Sequence, residues 1–262
     1  MSKFKTITAL LLTGILTLSL LTACGNSTSS DHADSSTAGP SQIVSSAQGG
    51  QQSSPEETSD GLVATTAGKV QGTLNDGVYT YLGVPYAHAT ERFVPAQAVE
   101  PWEGVFQADT YGNISPQGAM FGMPGQAQPG TDNNCQNLNI WTPGVGDDGA
   151  RPVMVWLHGG GFSNGSGNDQ GYQGGNLSRS GDVVVVTVNH RLNLFGHLDL
   201  SAYGEKYERS ANVGITDIVA ALEWIQDNIA AFGGDPDNVT VFGQSGGGAK
   251  VLALMTSPYA QG

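Results

Sequence analysis

The sequence predicts an α/β fold whose central sheet is mostly parallel and flanked by helices, with small antiparallel strands toward the N-terminus. Three observations carry this. Pro152–Leu157 and Asp182–Val188 are nearly continuous apolar runs, the pattern of strands covered on both faces. Ala211–Ala231 then spaces Val213, Ile218, Leu222, Ile225 and Ile229 so that they stripe one side of a helix. A further short run, Asn238–Phe242, leads into Gly243-Gln244-Ser245-Gly246-Gly247. Buried strands that alternate with helices assemble into a parallel sheet.

In chain order, the first elements precede that sheet. Leu62–Thr66, Lys69–Leu74 and Val78–Val84 are rich in Val, Thr and Tyr and read as strands. Asn75-Asp76-Gly77 between the last two is a hairpin signal. Thr90 to about Asn134 is dense in Gly, Pro and Gln, shows no periodicity and reads as loop. Asn137–Trp141 is another strand, closed by Pro143. Gly233-Gly234-Asp235-Pro236 carries stop signals for the Ala211–Ala231 helix. A second helix, Gly248–Met255, follows Ser245. No repeat is visible.

The first sixty residues have another character. Lys3 and Lys5 precede an apolar run, Ile7–Leu21, and then Leu21-Thr22-Ala23-Cys24. The run is shorter than the ~20 residues of a spanning helix, so residues 1–23 read as a secretory leader. The ending resembles a bacterial lipobox, which implies acylation of Cys24 and a membrane anchor on the extracytoplasmic face. The alternative is an ordinary cleaved leader. Residues 24–60 are Ser, Thr, Gly, Gln and Asp with few apolar side chains, and such a segment is expected to be a disordered tether. The folded domain is therefore expected over 61–262.

The formal net charge is −13, and a leader would take two positive charges with it. This argues against nucleic acid or anionic lipid as a partner of the domain, since both require basic patches. The two cysteines are Cys24 and Cys135. With Cys24 acylated, no intrachain disulfide is expected. No cysteine or histidine cluster of metal-binding type occurs, and no cofactor is expected.

Two motifs carry chemistry. Gly243-Gln244-Ser245-Gly246-Gly247 is G-x-S-x-G between a strand and a helix. There a serine sits on a tight, strained turn, its neighbours must be small, and the helix N-terminus favours developing negative charge. His158-Gly159-Gly160-Gly161-Phe162 follows the buried strand that ends at Leu157. A glycine run in that place allows backbone N–H groups to face an oxyanion. A phosphate-binding loop is the competing reading, but no P-loop Lys-Ser/Thr pair follows.

With these motifs in place, four blocks resemble type-B carboxylesterases: Asn137–Trp141, Trp156–Phe162, Val188–Asn193 and Phe242–Gly247. Ala211-Asn212-Val213-Gly214 with Asp217 resembles a fifth. The likeness runs from about Val63 onward. It implies an α/β-hydrolase fold, Ser245 as acyl acceptor, oxyanion N–H groups from Gly160, Gly161 and Gly246, and hydrolysis of a small-molecule carboxylic ester through an acyl-enzyme. The sequence departs from the family's pattern in places. The family's Ser-Glu-Asp-Cys is here Asp132-Asn133-Asn134-Cys135, so the ion pair implied for Arg92 lacks its acid. Ser115 stands where the partner of Cys135 is expected. Gln244 replaces the glutamate of cholinesterase-type members, which argues against a cationic choline substrate.

A triad also needs an acid and a histidine, which in α/β-hydrolases follow the serine. Residues 246–262 contain no Asp, Glu or His, and His32, His88, His158, His190 and His197 all precede Ser245. The chain is therefore expected to be catalytically incomplete and the sheet unfinished on its C-terminal side. The alternatives to an esterase are a non-catalytic surface binding protein and a truncated remnant on the same fold. Oligomeric state is not legible.

Overall fold

The computed structural model describes residues 60–118 and 130–260. The leader, Cys24 and nearly all of the tether lie outside the described residues.

Two sheets are present among these residues. In the smaller, β1 (Leu62–Ala64) pairs antiparallel with β2 (Lys69–Gln71). The expected single strand Lys69–Leu74 is instead two. A Cβ at Gly72 would lie 2.6 Å from the Tyr81 ring, and at this glycine the chain passes from the small sheet to the large one. β3 (Thr73–Asn75) and β4 (Val78–Pro85) then form the hairpin. Asp76 and Gly77 have φ of 49° and 73°, the two left-handed residues of a type I′ turn. β5 (Val105–Gln107) lies inside the stretch expected to be loop and pairs parallel with β2.

The larger sheet adds β6 (Asn137–Thr142), β7 (Arg151–Leu157), β8 (Val184–Val188) and β9 (Gly234–Gly243) in the order β3-β4-β6-β8-β7-β9. It is mixed. The β8-β7-β9 side is parallel, and the antiparallel pairing of the N-terminal strands extends through β6 to β8. β6 and β8 are buried along their whole length. β9 begins earlier than Asn238 because Gly233 (φ 77°) makes the turn and Gly234 already pairs with Arg151.

Helices flank the sheet. α1 (Gly175–Gly181) and α2 (Asn193–His197) were not anticipated, being short and without an apolar stripe. α3 (Val213–Asn228) is extended at both ends by 3-10 turns, which accounts for the longer expected span. Its stripe of Val213, Ile218 and Ile225 is buried against the sheet with Trp224 and Phe232. α4 (Gly246–Thr256) starts directly after Ser245, two residues earlier than expected. The glycines there leave the turn no loop to spend. Among the described residues, no helix is long and apolar enough to cross a membrane.

Candidate active site

Ser245 sits between the end of β9 and the start of α4 with φ 56° and ψ −120°. A non-glycine residue there is strained, and the surrounding backbone must hold it. It does so through glycines. A Cβ on Gly247 would fall 1.9 Å from the Leu157 carbonyl oxygen, and one on Gly243 would fall 2.6 Å from the same atom. Both positions exclude a side chain, and the turn is pressed against the end of β7. Ser245 itself is exposed, and its hydroxyl has no hydrogen-bond partner among the described residues.

The glycine run that leaves β7 lies beside this turn. A Cβ on Gly159 would be 3.6 Å from the Ser245 Cβ, and one on Gly246 would be 2.5 Å from the backbone nitrogen of Gly161. Gly159 and Gly161 therefore lie directly against Ser245 and Gly246. Gly160 (φ 86°) and Gly161 (φ 65°) are both left-handed, a conformation that glycine adopts freely. The Gly160 carbonyl accepts from Ser163 and Asn164 at 3.3 Å. The N–H groups of Gly160, Gly161 and Gly246 donate to no acceptor among the described residues. Gly161, whose amide is unengaged, thus packs on Gly246 next to the serine at the N-terminus of an eleven-residue helix, a position where backbone N–H groups favour negative charge on an oxygen.

A polar network fixes the chain beyond the loop. Asn189 Nδ2 donates to Asn137 Oδ1 (2.9 Å) and Asn168 Oδ1 (2.7 Å), and its Oδ1 accepts from Gly167 N at 2.8 Å. Gln117 exchanges two bonds with the Gly165 backbone, 2.7 and 3.0 Å long. Below it, Arg191 and Asp217 form a buried ion pair. The outer end of the loop borders a cleft of about 340 Å³ lined by Pro116, Ser163, Asn193, Leu194 and Phe195.

Three of the histidines are engaged elsewhere. The Nδ1 atoms of His158, His190 and His197 face the carbonyl oxygens of Gly159 (2.8 Å), Arg191 (2.9 Å) and Ala211 (3.3 Å). Burial, with Lys250 adding to it, pushes His158 down to about 3 and His190 well below its ordinary value. Burial also lowers His197. These are neutral core imidazoles. None of the described histidines is bonded to Ser245.

The departures from the expected pattern have local substitutes. Arg92 lies over the Phe195 ring, 5.3 Å from its centroid. Asn134 Oδ1 accepts from Ala89 N (3.1 Å) and Asn133 Nδ2 donates to Ala89 O (3.3 Å), so two amides tie down the segment beside Arg92. Ser115 faces the buried Cys135 thiol. One residue of the site was not singled out from the sequence. Lys250 on α4 is fully buried, and its Nζ donates to the His158 carbonyl at 3.0 Å. A cation on the apolar stripe of a helix, with no acidic residue within the same turns, was the available signal. Among the described residues, no group of three or more His, Cys, Asp or Glu side chains is placed to hold a metal ion.

Comparisons with known proteins agree on one family. The carboxylesterase family model matches residues 59–262. The para-nitrobenzyl esterase of Bacillus subtilis is 43% identical over 205 residues, covering 77% of this chain and 41% of that protein. The phenmedipham hydrolase of Pseudarthrobacter oxydans is 43% identical over 207 residues, covering 76% and 40%. Among solved structures, an esterase from anaerobic Clostridium hathewayi that can hydrolyse aliphatic aromatic polyesters superposes with a TM-score of 0.73 at 52% identity, covering 77% of this chain and 41% of that one. The chain thus spans about two fifths of the length of these relatives.

Proposed function

Because the chain belongs to the carboxylesterase family, we propose that it acts as a serine ester hydrolase through an acyl-enzyme at Ser245. In this reading the Ser245 oxygen attacks the ester carbonyl carbon. The carbonyl electron pair moves onto oxygen, facing the amides of Gly160, Gly161 and Gly246, and the alcohol departs as the carbonyl reforms. Water then releases the acid by the same route. The substrate is a small-molecule carboxylic ester, and Gln244 beside the serine suits an uncharged one better than a choline ester. What carries the reading is one juxtaposition: a strained, exposed serine beside a glycine loop whose Gly160 and Gly161 amides have no acceptors.

The reaction also requires a group to take the serine proton and a carboxylate to orient it. His158, His190 and His197 are neutral and bonded elsewhere, so none of these three takes that proton. Treating the chain with excess fluorophosphonate and mapping its peptides tests both points. Slow modification confined to Ser245 and lost in Ser245→Ala is expected, at least ~10³-fold slower than in a complete serine hydrolase. No modification of the folded chain would favour the non-catalytic binding protein. Ester turnover matching that of the para-nitrobenzyl esterase, and dependent on Ser245, would show that the chain itself supplies the base.

Residues 1–23 are proposed as a leader and Cys24 as a lipidated N-terminus that holds the domain to the extracytoplasmic face of a bacterial membrane through the 24–60 tether. Incorporation of labelled fatty acid that disappears in Cys24→Ser is the expected result. Equal incorporation in both forms would exclude it.

A further inference from the structure

Lys250 is a fully buried cation without a carboxylate. Its side chain is sealed against solvent, and none of the ion pairs among the described residues includes it. Burial pushes its amine down to about 8, so near neutrality most of it remains charged. An ammonium carries three N–H donors. One goes to the His158 carbonyl at 3.0 Å, and the Phe162 ring centroid lies 5.8 Å away. The titratable groups that face it are three imidazoles: His158 after β7, His190 after β8 and His197 at the end of α2.

The tautomers of those imidazoles follow from their partners. Each Nδ1 faces a carbonyl oxygen and must carry the hydrogen. Each Nε2 is then a lone pair, and all three are buried without a partner. His158 and His190 stack with centroids 5.1 Å apart. The pocket therefore offers the ammonium acceptors and an aromatic face but no formal negative charge. An apolar side chain would fill such a place at lower cost in stability than an unpaired cation. A fold that keeps the cation uses the one strong bond it makes.

That bond reaches the residue from which the glycine run begins. His158 connects β7 to Gly159–Gly161, and Lys250 stands on the helix that Ser245 initiates. The bond ties the nucleophile's helix to the root of the loop, a second connection beside the backbone contact between Gly246 and Gly161. We propose that Lys250 is a positioning residue, whose bond to the His158 carbonyl holds the amides of Gly160 and Gly161 opposite Ser245. This deepens, and rests on, the reading of Ser245 and the loop as an ester-hydrolysing site.

The test is Lys250→Met, which keeps the length and removes the donor. Two readouts are needed: hydrogen–deuterium exchange of peptides spanning 158–164, and the rate of fluorophosphonate modification at Ser245. Exchange at 158–164 is expected to rise about tenfold and modification to slow about tenfold, while the urea midpoint does not fall. The wild-type modification rate should also change near the pH at which Lys250 titrates, a step absent from the variant. Unchanged exchange at 158–164 would overturn the proposal, as would loosening spread evenly with a fall in midpoint. If Ser245 is modified in neither protein while exchange rises only in the variant, the positioning role stands and the esterase reading fails. Lys250→Ser, too short to reach His158, serves if the methionine variant does not fold.

Discussion

Arg191 and Asp217 meet in a two-point ion pair, Nη2 to Oδ1 at 2.7 Å and Nε to Oδ2 at 2.9 Å, with both side chains fully buried. The Arg191 backbone N–H also donates to Asp217 Oδ2 at 3.0 Å, and Arg191 Nη1 reaches the Val94 carbonyl at 2.8 Å. The pair joins the segment after β8 to α3 and to the stretch before β5. Its worth lies in placement, because burying two ions offsets much of their attraction. Removing one partner leaves the other charged and unpaired. Asp217→Asn should therefore lower stability by about 3–5 kcal/mol, read as a shift in urea midpoint. A change under about 1 kcal/mol would show that the guanidinium finds another acceptor.

Ser115 and Cys135 predict a covalent link that the chain does not make. The Cys135 thiol is buried, and burial, with Asp217 nearby, pushes it far above its ordinary value, with Ser115 acting in the opposite sense. Ser115→Cys places two thiols face to face. Under oxidising conditions no thiol should titrate in the folded domain residues, and the variant should gain about 3 kcal/mol from closing a loop of roughly twenty residues. Loss of the Leu192 N–H bond to Ser115 Oγ at 3.0 Å sets part of this back. Two titratable thiols would show that the Cα separation is too large for a disulfide.

Gly247 and Gly77 separate two reasons for a glycine. A Cβ on Gly247 would meet backbone 1.9 Å away, whereas one on Gly77 meets nothing, and its cost is only the left-handed φ of 73°. Gly77→Ala should cost about 1 kcal/mol and leave Ser245 modification unchanged. Gly247→Ala should cost about 3 kcal/mol or more, because the Leu157 carbonyl belongs to a central strand and cannot give way. Equal urea midpoints for the two variants would contradict the packing of the turn against β7.

What the sequence showed and what it hid divide along the range of the forces involved. The hairpin turn at Asp76-Gly77, the buried runs of β7 and β8 and the stripe of α3 are local patterns, and each formed where the pattern pointed. β5 has three residues and no buried side chain, too short for any period. It exists because β2 offers it an edge. The break at Gly72 is likewise set by a ring on β4. In the site, the glycines and Ser245 stood out because backbone geometry demands particular residues. Lys250 did not, since a lysine on a helix reads as solvated until α2, β7 and the segment after β8 close around it.

The buried imidazoles predict how stability depends on pH. The native state keeps His158 neutral down to about 3, against an ordinary value of 6.5, with burial the main cause. His190 and His197 are lowered in the same direction. Below 6.5 the unfolded chain binds protons that the native chain refuses. Stability from these groups is therefore complete above pH 6.5 and is lost as pH falls below it, for His158 down to about 3. For His158 this is a slope of about 1.4 kcal/mol per pH unit in the steep part of that window. His190→Asn isolates one of them, since the asparagine amide can still donate to the Arg191 carbonyl but does not titrate. Urea midpoints between pH 4.5 and 7 should fall less steeply for this variant, by about 1.4 kcal/mol per unit below pH 6. Parallel curves would mean that His190 is protonated in the native state. The neutral lone pairs around Lys250 would then be the wrong description of that pocket.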